Sequence, residues 1–169
     1  MRTLVAYFTQ TGKTELVAEA IYGEVSGDKE IKKLADVDSL EAYDLAFVGF
    51  PIIGFGPADA GKDFLENQAA GKPVALFVTH ASPEDSEVLP EWLDKCKEAA
   101  AGTELVGTFN CQGELSEQIA DLLSASEDPQ LREFAEARSQ TLGQPDEARL
   151  EKARAFAREI MEKAKGRAS

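Results

Sequence analysis

Apolar strand-like runs alternate with amphipathic helix-like runs five times along this chain, and that alternation leaves few folds open. The runs Arg2–Phe8, Asp44–Phe50 and Pro73–Thr79 are almost continuously apolar, as strands buried on both faces must be. Lys29–Leu34 carries lysines that suit an exposed sheet edge, and Thr103–Phe109 is the fifth strand. Helical patterns follow them over Glu15–Glu24, Ala58–Gln68 and Glu91–Ala101. Strands separated by helices pair in parallel, because each crossover carries the chain back over a face of the sheet. The expected class is therefore α/β, a parallel five-stranded sheet with helices on both faces. From Glu114 the pattern turns helical, over Leu115–Leu123, Pro129–Thr141 and Asp146–Lys165. Residues 114–145 read as an added helical segment within one domain spanning residues 1–169.

The turn Thr9-Gln10-Thr11-Gly12-Lys13-Thr14 joins the first strand to the first helix. It offers three hydroxyls and several backbone N–H groups at the positive end of a helix, a good place for a phosphate. Gly12-Lys13-Thr14 resembles the end of a triphosphate loop. That motif needs a glycine five positions earlier, where Tyr7 stands. A dinucleotide fingerprint needs three spaced glycines, and only Gly12 is present.

The turn does match the T/S-x-T-G-x-T phosphate loop of flavodoxins, and it stands after the first strand as in that family. The resemblance covers about residues 1–113 and the last helix. It implies a flavodoxin-like, doubly wound sheet in the order 2-1-3-4-5 with FMN as cofactor. The site would lie beyond the carboxyl ends of the strands, where the order reverses. Thr9, Thr11 and Thr14 would offer hydroxyls to the FMN phosphate, and residues Gln10 to Thr14, Gly12 included, their N–H groups. Lys13 either adds charge there or is a solvated lysine at the helix start.

The family sandwiches the isoalloxazine ring between the loops after the third and fourth strands. The first loop here is Pro51-Ile52-Ile53-Gly54-Phe55-Gly56-Pro57, with Ile52, Ile53 and Phe55 as apolar contacts. A flavodoxin peptide near flavin N5 flips as the ring is reduced, and glycine makes such a flip cheap. Gly54 is the first candidate and Gly56 the second. The second loop is Thr79-His80-Ala81-Ser82, without the tyrosine or tryptophan common in the family. His80 takes that place or sits as a surface histidine; Trp92 swings in or packs its helix. Cys111, at the end of the fifth strand, approaches the flavin or fills space. Cys96 lies on an apolar helix stripe and belongs to the core.

Acidic residues outnumber basic ones by 31 to 18, giving a net charge of -13. Such a chain is repelled by nucleic acid and suits basic protein surfaces. Asp36, Asp38, Glu41, Asp44 and Asp59 surround the first ring loop in sequence without a basic residue among them. Glu84, Asp85, Glu87, Glu91 and Asp94 do the same for the second. The expectation is a negative field at the flavin edge that disfavours a negatively charged reduced flavin and attracts basic-surfaced redox proteins. Two cysteines without metal-ligand spacing, no signal peptide and no membrane span point to a cytoplasmic protein. The leading reading is an FMN-binding carrier of single electrons that performs no bond chemistry of its own. The alternatives are an FMN-dependent NAD(P)H or quinone reductase, and a flavin-free binding module on the same fold.

Overall fold

The computed structural model describes residues 1–168. Five strands run parallel: β1 (Arg2–Tyr7), β2 (Asp28–Lys33), β3 (Leu45–Ile53), β5 (Pro73–His80) and β6 (Glu104–Gln112). The two-residue β4 (Gly56–Pro57) pairs antiparallel with the end of β3. The order across the sheet is β2-β1-β3-β5-β6. Apart from β4 this is the expected order, with its reversal between β1 and β3.

Pleating sorts the strand residues into two faces. Leu4, Ala6, Val48, Phe50, Leu76 and Val78 point to one face and pack with Phe64 and Leu65 of α2 (Asp59–Asn67) and Cys96 of α3 (Leu89–Ala99). Val5, Tyr7, Phe47, Ala75 and Phe77 point to the other. They pack with Val17 and Ile21 of α1 (Lys13–Glu24) and with Phe156 and Ile160 of α6 (Glu147–Ala168). Alternate residues of one strand thus serve two cores, so the runs look continuously apolar in sequence. The edge strand β2 is protected by charge: Lys32 and Arg2 both pair with Glu30, and the Tyr43 hydroxyl donates to Glu30 at 2.6 Å. Among the described residues, no helix is long and apolar enough to cross a membrane.

One sequence expectation changes. Residues 51–57 form a β-hairpin rather than an irregular loop. Ile52 pairs with Pro57 and Ile53 with Gly56, across a two-residue turn of Gly54 and Phe55. Both turn residues are left-handed, with φ of 62° and 66°, as the twist of a tight hairpin demands. Phe55 is strained there and is held by its ring, which lies 5.0 Å from the Trp92 ring at 34°. The segment after β6 forms a small helical cap of its own, α4 (Glu117–Ser124) and α5 (Pro129–Glu136), followed by a 3-10 turn over Ala137–Thr141. Leu115, Ala120 and Ala135 form its satellite core, and Ala81, Ile119, Leu123 and Phe134 pack against it.

Candidate functional site

The threonine turn sits at the carboxyl edge of the sheet, at the point of reversal. Gly12 occupies the N-cap of α1 with φ of 88°, and a Cβ built there would meet nothing within 4 Å. Its N–H donates to Thr9 Oγ1 at 2.9 Å, which closes the turn. The first-turn N–H groups of α1 have no partners within the helix. The other face of the turn is fixed from below. The Tyr7 hydroxyl donates to Glu15 Oε1 at 2.6 Å, and this bond pushes its pKa up to about 12. Thr14 Oγ1 lies 2.8 Å from Thr79 Oγ1, with both residues buried. The Thr14 hydroxyl therefore ties the turn to the end of β5, in addition to any service to a ligand.

One cavity of about 80 Å³ gathers most of the expected residues: Thr9, Gln10, Thr11, Lys13 and Thr14 from the turn, Pro51 and Ile52 from β3, and Thr79, His80 and Ala81 from the end of β5. Gly12, Ile53, Gly54, Phe55, Gly56 and Ser82 do not line it. Gly54 is at the hairpin tip, and Phe55 is taken up by Trp92, itself 6.3 Å from the Phe134 ring of α5. The packing reading of Trp92 holds. The cavity wall that the sequence did not suggest is Gly113, Glu114, Leu115, Ser116 and Ile119, at the root of the helical cap. Glu114 lies 3.8 Å from Lys13 and 3.7 Å from Arg138 and accepts from the Gly143 N–H at 3.0 Å. A larger cavity, about 720 Å³, lies at the other end of the sheet between the strand starts Leu45, Pro73 and Glu104 and the end of α6. It holds none of the threonine-turn residues.

His80 lines the cavity but is not a surface histidine, since its ring is buried with both nitrogens engaged. It is 4% exposed, with Nδ1 3.0 Å from the Ser82 carbonyl and Nε2 3.0 Å from Asn110 Oδ1. A carbonyl only accepts, so Nδ1 carries the proton. A neutral ring then needs the Asn110 NH2 turned toward Nε2, and a charged ring needs its oxygen there. Burial lowers the His80 pKa below its ordinary 6.5 and outweighs the opposing hydrogen bonds. The neutral imidazole thus favours the fold. Its contribution is complete above about pH 6.5 and is lost as the pH falls below that, where the unfolded chain takes up the proton first. Urea unfolding at about pH 8 and about pH 5.5 should show a larger acid loss in the parent than in His80→Gln. Equal losses would remove His80 from the account.

Cys111 is 1% exposed, and burial raises its pKa to about 12. It fills the core beneath α6 and does not reach the cavity. Cys96 is equally buried, at 1% exposure, on the opposite face.

The acidic field is thinner than its sequence windows suggest. Asp44 precedes β3, and its carboxylate accepts from the Arg2 N–H at the far end of the sheet. Glu41 pairs there with Lys72 at 3.0 Å. Glu84 is engaged by Arg149 at 2.8 Å. Asp59, Asp85 and Glu87 are exposed.

The donor set at the turn fits a phosphate monoester: hydroxyls, helix N–H groups, one lysine and a glycine leaving open space. The room beside it is narrow, since pockets for ligands of flavin size usually hold roughly 300–1,000 Å³.

A family model described as a flavodoxin domain matches residues 4–158. The chain is 31% identical over 178 residues to a flavodoxin-like domain-containing protein, BilS, of Clostridioides difficile (strain CD3), covering 97% of this chain and 98% of that protein. Oxidised Flavodoxin 2 from Bacillus cereus superposes with a TM-score of 0.64 at 24% identity, over 96% of this chain and 99% of that one. A flavoprotein from Lactobacillus acidophilus NCFM, solved in complex with FMN, superposes with a TM-score of 0.51 at 21% identity, over 72% of this chain and 97% of that one. The two structures show a common fold.

Proposed function

We propose that this chain, which belongs to the flavodoxin-domain family, binds FMN at the carboxyl edge of its sheet and passes single electrons between larger redox proteins. The observation that carries the reading is the threonine turn at the strand-order reversal, with Gly12 left-handed and α1 starting at once behind it. The flavoprotein neighbours support the cofactor. Bound FMN supplies the redox chemistry, and the protein supplies binding and electrostatics. Thr9 and Thr11 would hold the phosphate with the first-turn N–H groups of α1, while the Thr14–Thr79 contact keeps turn and sheet in register. Lys13 contributes a cation that Glu114 partly offsets. Pro51, Ile52 and Ala81 offer apolar surface for the ring. Exposed Asp59, Asp85 and Glu87 favour a basic-surfaced partner, by steering rather than by tight binding.

A second reading, a flavin-free binding module, is favoured by the narrow cavity. One preparation separates the readings. The purified protein should be yellow, release FMN on denaturation, and oxidise NAD(P)H negligibly without a partner reductase. A colourless protein that takes up no added FMN would support the module. Rapid unaided NAD(P)H turnover would make it a reductase.

A further inference from the structure

The ring side of the cavity lacks an aromatic wall, and the structure shows what stands in its place. His80 is turned inward with both ring nitrogens engaged. Phe55 and Trp92 are stacked on one another. The large apolar residues that line the cavity together with Pro51 and Ile52 are instead Leu115 and Ile119, from the root of the helical cap. Both side chains belong to the cap's own core, which rests on Ala81.

The cap is closed at its neck. The Glu114 N–H donates to the Gln144 carbonyl at 2.8 Å, the Leu115 N–H to Thr141 Oγ1 at 3.0 Å, and Arg138 Nε to the Leu115 carbonyl at 2.9 Å. Leu115 and Ile119 are therefore held within one helical unit rather than as loose loop residues. That unit meets the phosphate turn through the Lys13–Glu114 pair, at 3.8 Å and partly exposed. A pair of this kind is weak enough to yield.

We infer that Leu115 and Ile119 are flavin-binding residues: they form an aliphatic wall over one face of the isoalloxazine ring, and the cap that carries them moves outward as a unit to admit it. The inference rests on the flavin reading above and deepens it. An aliphatic wall excludes water from the ring without the stacking that an aromatic residue adds. It also assigns a task to residues 114–145, which the five-stranded fold does not need.

The test uses the full-length apoprotein titrated with FMN, riboflavin and inorganic phosphate. Leu115→Ala/Ile119→Ala should weaken FMN and riboflavin by the same factor, about tenfold or more, and leave phosphate affinity unchanged. Leu122→Ala, on the exposed face of α4, should change none of the three. Ile119→Trp places an indole against the ring, and the visible band of bound FMN should gain a long-wavelength shoulder. A parent protein that binds no FMN overturns the flavin reading itself. A parent that binds FMN, with a folded double variant of unchanged flavin affinity, overturns the wall alone. If the double variant does not fold, an unaltered flavin spectrum in Ile119→Trp overturns it.

Discussion

Apoprotein titrated with FMN and with riboflavin should bind FMN at least about 100-fold more tightly. The two ligands share the ring and differ in the phosphate, so the comparison isolates the threonine turn. A hydrogen bond to a charged group contributes roughly 1.5–3 kcal/mol. Two such bonds from Thr9, Thr11 or the first-turn N–H groups of α1 account for at least about 3 kcal/mol, a factor of more than about 100. The Lys13 cation adds to this, less what Glu114 removes. The preference should shrink in Thr9→Ala, which loses both a hydroxyl and the bond that closes the turn through the Gly12 N–H. Raised salt should weaken FMN more than riboflavin. Equal affinities for the two ligands would mean that the turn is only a helix cap.

Gly49→Ala should cost about 3 kcal/mol of stability, at the upper end for overpacking in a core. Gly49 lies in β3 between β1 and β5. A Cβ there would fall 2.0 Å from Phe77 Cε2, and Phe77 is fully buried in the core beneath α1 and α6. Phe77 is 0% exposed, so the strand or the ring must shift within a packed core. For a domain of this length the loss corresponds to a fall of roughly 6–12 °C in Tm. The mechanism is checked by pairing the change with Phe77→Ala, which removes every ring atom the new Cβ would meet. That substitution alone removes buried surface and destabilises. In Gly49→Ala it also removes the clash, so the double variant should be more stable than the sum of the single effects by at least about 1 kcal/mol. Additive losses would place the strain elsewhere.

Sequence and structure agree where the signal is local. The threonine turn, the buried strands and the charged edge strand depend on residues close together in the chain, and all three were legible. The sheet order followed from the family's phosphate loop. The hairpin over 51–57 was not legible, because its turn is Gly54-Phe55 rather than the usual Asn-Gly, and the ring that packs on Phe55, Trp92, lies 37 positions away. His80 looked available because its anchor, Asn110, lies in another strand. The acidic windows mixed residues from both ends of the sheet, since sequence proximity does not say that Asp44 stands just before the start of a strand that Ile53 ends. The cap's place over the cavity depends on contacts such as Lys13 with Glu114, about 100 residues apart, for which the apolar periodicity of α4 carries no signal.

The arrangement of Trp92 gives this protein a built-in optical gauge. It is the chain's single tryptophan. Its indole rests on the hairpin through Phe55 and meets the cap through Phe134. Its emission therefore reports on the joint where the hairpin, α3 and the cap meet, without any introduced label. A shift in wavelength or polarisation marks a rearrangement of that joint, whereas changes confined to the distant α6 end of the sheet leave it dark.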